Sequence, residues 1–286
     1  MHLRLSLPVG CCLALLNAGC SPVAVPVASC PGAIFDLPVS TGTKPAVRVA
    51  VDDDDPADVV LDTGMSFNTF FAEDDNYHGP PHYTGDKEVA IPAFKTTLTF
   101  GLLPVPRGFT ETLKHKRISA YIVNPSQVYP EGFAVLDLKQ RRFLAFNNEA
   151  DLRNCYGHGQ HAEVHPQEAR VNVHLIDIVL DGKIAERVSI DTGAYLSEFY
   201  NSRQIDAGAL PSADDWYMGV NGEKVTPLVS WQHTIQVGTT SKQVEKIGLH
   251  VESKPGMPMG ALGMDILGSS ILIFPPKSQH YWELIF

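Results

Sequence analysis

Two short motifs, one in each half of the sequence, carry carboxylates in a setting that could support catalysis. Asp62 begins one Asp-Thr-Gly triplet and Asp191 begins the other. Two adjacent carboxylates cannot both ionise, so such a pair holds one shared proton over a wide pH range. The pair could then take a proton from a bound water while polarising a carbonyl group. The motifs predict peptide hydrolysis without a covalent intermediate, with no cofactor and no metal.

The strands that should position the two triplets are repeated along the chain. Alternating apolar residues are Val47, Val49 and Val51 in the first half and Val171, Val173 and Leu175 in the second. A turn follows each alternating segment, and an apolar run, 59–61 or 188–190, then leads into the triplet. A single triplet is weak evidence, but two in register within a repeated strand pattern indicate a duplicated β fold.

The repeat continues downstream of each triplet. Residues 134–144 and 271–282 both read as a closing hairpin with a polar tip. Few segments show a helical period, and the best candidate is the short stretch 263–269. The sequence therefore predicts an all-β fold with two similar β-barrel-like lobes and an active-site cleft between them.

These patterns divide the chain into five predicted segments. They are a signal peptide (1–19), a tether (20–33), an N-terminal lobe (34–148), a polar linker (149–168) and a C-terminal lobe (169–286).

The second half resembles a known family in three segments, which are 188–194, 219–229 and 261–267. The chain resembles the aspartic peptidases, in particular the retropepsin-like and pepsin-like group in its bacterial single-chain form with two acid-protease-type lobes. The resemblance extends over residues 34–286 and implies that Asp62 and Asp191 are the catalytic residues. It also implies that the equivalent of the apolar-apolar-Gly segment in the first half, at 132–134, is truncated or rebuilt.

The resemblance assigns supporting roles to the residues that follow each aspartate. Thr63 and Thr192 should form a hydroxyl network between the lobes, and Gly64 and Gly193 should bring main-chain N–H groups to the carboxylates.

A β-hairpin flap normally covers a cleft of this kind and excludes water from it. Either lobe could supply this flap, with Tyr217 and Gly219 as candidates in the second lobe and Tyr83 in the first. Each tyrosine could equally be a half-buried strand residue.

Met65 and Ala194 stand where related enzymes often place a hydroxyl that donates to the carboxylate. With fewer donors stabilising the anions, the pKa values of the pair should be depressed less. We expect a mildly acidic to near-neutral pH optimum.

The first residues predict export. An apolar run at 5–16 follows one basic residue and ends at Asn17-Ala18-Gly19-Cys20, which resembles a bacterial lipobox apart from Asn17. We expect lipidation of Cys20 and a periplasmic or outer-membrane-attached protein, with ordinary secretion as the alternative. Cys30 and Cys155 then remain as an even pair in an oxidising compartment, and we predict a disulfide between them.

Other groups of titratable residues carry weaker signals. Residues 52–55 are four aspartates at a predicted hairpin tip without the spacing of a calcium loop. His158, His161 and His165 lie in the predicted linker without a carboxylate or Cys ligand in register. Asp137 and Asp265 follow apolar segments and should be structural.

Charge and motif content limit the partners. The net charge of −10 disfavours nucleic acid and anionic membrane surfaces, whereas a polypeptide substrate is compatible with it. Because one chain supplies both aspartates, we expect a monomer. Two other interpretations remain open, a non-catalytic peptide-binding or sensory lipoprotein and a structural envelope lipoprotein.

Overall fold

The computed structural model describes most of the chain between Cys30 and Phe286. The described residues are 30–41, 44–52, 54–77, 82–108, 120–166, 172–199, 210–211, 217–218, 224–225, 228–249, 260–279 and 281–286. Strands dominate these residues, which confirms the all-β prediction. None of the helices in these segments is long and apolar enough to cross a membrane.

Among the described residues, ten strands come from the first half of the chain and twelve from the second. The first ten are β1 (Ala33–Pro38), β2 (Ser40–Thr41), β3 (Pro45–Val49), β4 (Ala57–Leu61), β5 (Asn68–Asp74), β6 (Gly85–Ile91), β7 (Thr96–Pro106), β8 (Tyr121–Val123), β9 (Phe133–Asp137) and β10 (Arg142–Phe146). Seven of them form the sheet of the first lobe, in the order β2-β3-β4-β8-β5-β7-β6.

Twelve strands come from the second half. They are β11 (Gln160–Pro166), β12 (Asn172–Leu180), β13 (Ile184–Ile190), β14 (Glu198–Phe199), β15 (Leu210–Pro211), β16 (Tyr217–Met218), β17 (Lys224–Val225), β18 (Leu228–Val237), β19 (Thr240–Leu249), β20 (Gly260–Leu262), β21 (Ile271–Phe274) and β22 (Tyr281–Ile285). The large sheet has the order β1-β10-β9-β21-β22-β11-β12-β13-β20-β14-β19-β18-β15, and β16 pairs with β17 alone.

Helices are short. Within the described segments, two are α-helical, α1 (Glu149–Arg153) and α2 (Met264–Leu267), and two are 3₁₀ turns, Pro92–Phe94 and Pro125–Gln127. The helix predicted at 263–269 is thus present as α2.

A hairpin precedes each triplet, as the alternating pattern predicts. β3 pairs with β4 in the first lobe, and β12 pairs with β13 in the second. The second hairpin turns at Asp181 and Gly182, which both have positive φ, a conformation that glycine adopts without strain. Inward-facing Val47, Val49 and Ile176 lie in the hydrophobic core.

The two closing hairpins join the lobes through the main chain. β9 and β10 form the first hairpin and β21 and β22 form the second, and β9 pairs with β21 in an antiparallel register from Asp137–Ile271 to Ala134–Phe274. The large sheet therefore runs from the first lobe into the second without a break.

The segment expected to be a linker, 149–168, carries regular structure. It contains α1, capped by the Asn148 side chain, which accepts from the main-chain N–H of Asp151. It also contains β11, which pairs with β12 and β22. Leu152 is fully buried, so the segment packs on the core and is not a free connection.

Candidate active site

Asp62 and Asp191 lie on loops with equivalent construction in the two lobes. Asp62 follows β4, and its main-chain N–H donates to the carbonyl of Val123 on β8 at 2.8 Å. Asp191 follows β13, and its N–H donates to the carbonyl of Leu262 on β20 at 3.0 Å. In both lobes the aspartate strand runs parallel to its partner strand. The sequence duplication is thus a structural duplication at the triplets.

The structure brings the two carboxyl groups together. The carboxyls of Asp62 and Asp191 lie close enough for the charge of Asp62 to act on Asp191. A methyl group on Gly64 would overlap the Asp191 carboxyl, and one on Gly193 would overlap the Asp62 carboxyl. Glycine is therefore required at both positions for steric reasons.

Main-chain donors hold each carboxylate in place. The N–H of Gly64 donates to Oδ1 of Asp62 at 2.8 Å. Oδ1 of Asp191 accepts from Gly193 at 2.8 Å and also from Ala194 at 3.0 Å. The main chain at Ala194 therefore supplies a donor to Asp191 although its side chain has no hydroxyl.

The two threonines link the loops across the lobe boundary. The N–H of Thr63 donates to Oγ1 of Thr192 at 3.0 Å, and the N–H of Thr192 donates to Oγ1 of Thr63 at 2.9 Å. Each hydroxyl in turn donates to a main-chain carbonyl of the opposite lobe, at Ile190 or Leu61. Both threonines are buried, so these bonds are shielded from water.

The electrostatics of the pair favour retention of a proton. Burial and the charge of Asp62 raise the pKa of Asp191 to about 7, with the hydrogen bond to Asp62 acting in the same direction. The ammonium group of Lys44 and the N–H of Gly193 oppose this rise. Asp191 can therefore keep the shared proton well above the usual range of a carboxyl group.

Residues 132–134 were predicted to be the first-lobe equivalent of the segment that packs beneath the Asp191 loop, and this prediction is wrong. The segment equivalent to Ala261-Leu262-Gly263 is Ile122-Val123-Asn124, followed by the 3₁₀ turn Pro125–Gln127 in place of α2. Gly132 instead precedes β9. The sequence pattern does not reveal this segment because Asn124 occupies the position of the glycine. The segment beneath the Asp62 loop is therefore present in full, with a different sequence.

The flap candidates lie in different settings. Tyr217 is on the small ribbon of β16 and β17, and Gly219 is outside the described residues. Tyr83 is exposed and lies with Phe67 over Gly101 of β7, where a Cβ atom on the glycine would be 2.8 Å from the Phe67 ring. Tyr83 is therefore beside the loop that follows Asp62.

Cys20 lies outside the described residues. Cys30 and Cys155, the cysteines within them, are free thiols that interact with each other. Burial and a hydrogen bond to Cys30 raise the pKa of Cys155 to about 12. Both border the small core cluster of Phe133 and Leu144. A disulfide between them remains a prediction.

Asp137 and Asp265, expected to be structural, lie away from the carboxylate pair. Asp137 accepts from the hydroxyl of Tyr156 and from the N–H of Gln140. Asp265 accepts from the N–H and hydroxyl of Ser197, below the Asp191 loop. Within the described segments, no three His, Cys, Asp or Glu side chains group as metal ligands would.

A second hydrogen-bonded group was not apparent from the sequence. Nδ1 of His233 is 2.7 Å from Oδ2 of Asp181, and its Nε2 is 2.8 Å from the hydroxyl of Ser230. Ser230 and His233 are each only 7% exposed. Oδ1 of Asp181 also accepts from the main-chain N–H of Thr234 on β18, so we assign this group to tying β18 to the turn between β12 and β13.

Comparison with known proteins supports the fold. The aspartic proteinase from Irpex lacteus has a similar structure, with a TM-score of 0.51 and 10% sequence identity, over 87% of this chain and 96% of that chain. No family model and no curated protein matches the sequence. The architecture is therefore that of an aspartic proteinase, with two lobes meeting at the carboxylate pair.

Proposed function

We propose that the protein is an aspartic endopeptidase, which hydrolyses peptide bonds through a water activated by Asp62 and Asp191. The observation that carries the proposal is the adjacent pair of carboxyls, held by matched loops from two lobes that Thr63 and Thr192 link. Paired carboxylates are costly to hold together, and their retention favours use in catalysis.

The mechanism follows from the arrangement of protons. Asp191, with its raised pKa, retains the shared proton and donates a hydrogen bond to the substrate carbonyl. The ionised carboxylate of Asp62 takes a proton from the water that attacks this carbonyl. The proton donor Asp191 and the proton acceptor Asp62 are already in position before the substrate binds, so the site needs little reorganisation during the reaction.

The proposal extends to partners and location. The substrate would be an extended polypeptide, and one chain would suffice because it supplies both carboxylates. The N-terminal sequence supports export as a periplasmic or outer-membrane-attached lipoprotein with the lipid on Cys20, and ordinary secretion is the alternative. Globomycin sensitivity and mass spectrometry of the processed N-terminus would test the lipid anchor.

Cleavage of casein across pH 3 to 8, a range that brackets the pKa values of such pairs, tests the activity. Asp62→Asn and Asp191→Asn should each abolish cleavage while the fold is kept. The matched control is Asp58→Asn, which removes an exposed carboxylate from the strand that leads to Asp62 and should leave the rate unchanged. Absence of cleavage by the unmodified protein, together with no binding of a statine-type inhibitor, would favour the peptide-binding alternative.

A further inference from the structure

The loops that carry the two aspartates are held by different donors. In the second lobe, the main-chain N–H of Met264 donates to the carbonyl of Ala194 at 2.8 Å. Pro125 occupies the equivalent position in the first lobe and has no N–H to donate. There, Nδ2 of Asn124 donates to the carbonyl of Met65 at 2.6 Å. A side chain has taken over the role of a main-chain group.

The next carbonyl along each loop shows the same exchange. In the second lobe, the N–H of Asp265 donates to the carbonyl of Tyr195 at 3.3 Å. In the first lobe, Nε2 of Gln127 donates to the carbonyl of Ser66 at 3.0 Å. For two successive loop carbonyls, the donor is therefore a main-chain N–H in the second lobe and a side-chain amide in the first. The replacement is systematic.

The orientation of the Asn124 side-chain amide is fixed by the hydrogen bonds that the other polar atoms of Asn124 make. Its Oδ1 accepts from the N–H and the hydroxyl of Ser126, at 3.0 and 2.7 Å. Its main-chain N–H donates to Oδ1 of Asn68 at 3.0 Å. Asn124 is only 5% exposed. Because Oδ1 is engaged with donors, Nδ2 must face the carbonyl of Met65.

We infer that Asn124 is a positioning residue for the carboxylate pair, through the hydrogen bond from its side-chain amide to Met65. Met65 lies three residues after Asp62 in the loop between β4 and β5, so a displacement of this carbonyl moves the carboxylate relative to Asp191. The inference rests on the proposed function and adds a residue to it. A small displacement of a reacting group costs much activity even when the residue that moved touches no substrate.

The second lobe supplies the design of a rescue variant. Gly263 precedes Met264 there, and a Cβ atom on Gly263 would lie 2.6 Å from the main-chain carbon of Leu196. Asn124→Gly removes the side-chain donor from the first lobe. Adding Pro125→Met to it restores a main-chain N–H and reproduces the Gly-Met pair of the second lobe.

The experiment measures kcat and KM on a peptide substrate for Asn124→Gly and for the double variant. Asn124→Gly should lower kcat by about 10- to 100-fold with KM changed less than about twofold, and the double variant should recover most of the loss. The matched control is Asn148→Gly, which removes an N-cap amide from α1. It should lower the melting temperature and leave kcat unchanged.

A second readout separates this inference from the proposed function. The titration of the Asp191 carboxyl, whose pKa depends on the charge of Asp62 beside it, should shift in Asn124→Gly and return in the double variant when followed by ¹³C NMR, whether or not the protein cleaves peptides. If Asn124→Gly does not fold, Asn124→Asp with and without Pro125→Met gives the same comparison, because it keeps the oxygen that accepts from Ser126. An unchanged kcat and titration in the single variant, or no recovery in the double variant, would overturn the role of Asn124.

Discussion

Thr63 and Thr192 donate to and accept from each other across the lobe boundary. The two bonds have nearly the same length, 3.0 and 2.9 Å, and each hydroxyl continues to a carbonyl of the opposite lobe. The carboxylate pair is therefore held by contacts that belong to neither lobe alone, and loss of one threonine hydroxyl affects both.

Replacing Thr192 with Val tests this coupling. The change leaves the N–H of Thr63 and the carbonyl of Leu61 buried without their partner, each at about 1–3 kcal/mol. We expect the free energy of unfolding to fall by about 2–6 kcal/mol in a urea titration. Thr192→Ser keeps the hydroxyl and should retain most of the stability; an equal loss in both variants would assign the effect to packing of the methyl group.

The activity of the unmodified protein should decline as the pH rises through about 7, because Asp191 then loses the shared proton. Lys44 lowers the pKa of Asp191, so Lys44→Met should move this limb of the pH profile to higher pH. Rates measured from about pH 5 to about pH 9, a range that brackets the pKa of about 7, show the shift. The exposed Lys139→Met is the control, and an identical shift there would indicate a general effect of net charge.

Stability should also depend on pH through Asp191. Its pKa is 3.8 when unperturbed and about 7 in the folded protein, so the folded state binds the extra proton between these values. The free energy of unfolding therefore falls as the pH rises from about 4 to about 7. Asp191→Asn has no proton to lose and should flatten this slope and exceed the unmodified protein in stability at pH 8. Parallel slopes for both proteins would contradict the raised pKa.

Arg153 on α1 holds a buried carboxylate of the last strand. Its guanidinium is 2.5 Å from Oε1 of Glu283, which is only 1% exposed. Arg153→Met should cost about 3–5 kcal/mol of unfolding free energy, because it leaves a buried charge without its partner. Removing both charges, with Glu283→Leu added, should recover much of this. Glu149→Gln breaks only an exposed pair and should cost about 0.5 kcal/mol or less.

The contact between Cys30 and Cys155 predicts a disulfide in protein exported to an oxidising compartment. Alkylation followed by mass spectrometry should show both thiols blocked in exported protein and both free in protein made with reductant. Because burial raises the pKa of Cys155 to about 12, the reduced thiol should react slowly with alkylating agents at pH 8 until the protein is unfolded. Free thiols in the exported form would end the prediction.

The sequence alone was enough to predict the fold because its signals are local and repeated. Alternating valines around Val47 and Val49, the turn at Asp181 and the paired triplets each require only a few consecutive residues. Two copies in register then indicate two lobes. The positions of Asp62 and Asp191 in the chain follow from the same pattern.

Some features of the structure could not be predicted from the sequence, because chemically different groups play equivalent roles in the two lobes. Asn124 performs with an amide what Met264 performs with its main chain, and no residue-type pattern connects the two. The polar composition of residues 149–168 also gives no sign of the cap at Asn148 or of the buried Leu152. The pairing of β9 with β21 also lies between residues far apart in the chain, where local patterns give no information.

That pairing has a mechanical consequence. A ladder of main-chain hydrogen bonds between β9 and β21 cannot lengthen without breaking, so the lobes cannot swing apart as two bodies on a flexible tether. Widening of the cleft must come from a change in twist of the continuous sheet, which distributes the deformation over many residues. Point substitutions in the connecting segments should therefore have little effect on the rate at which the cleft opens. That rate should instead depend on the stiffness of the sheet beneath the cleft.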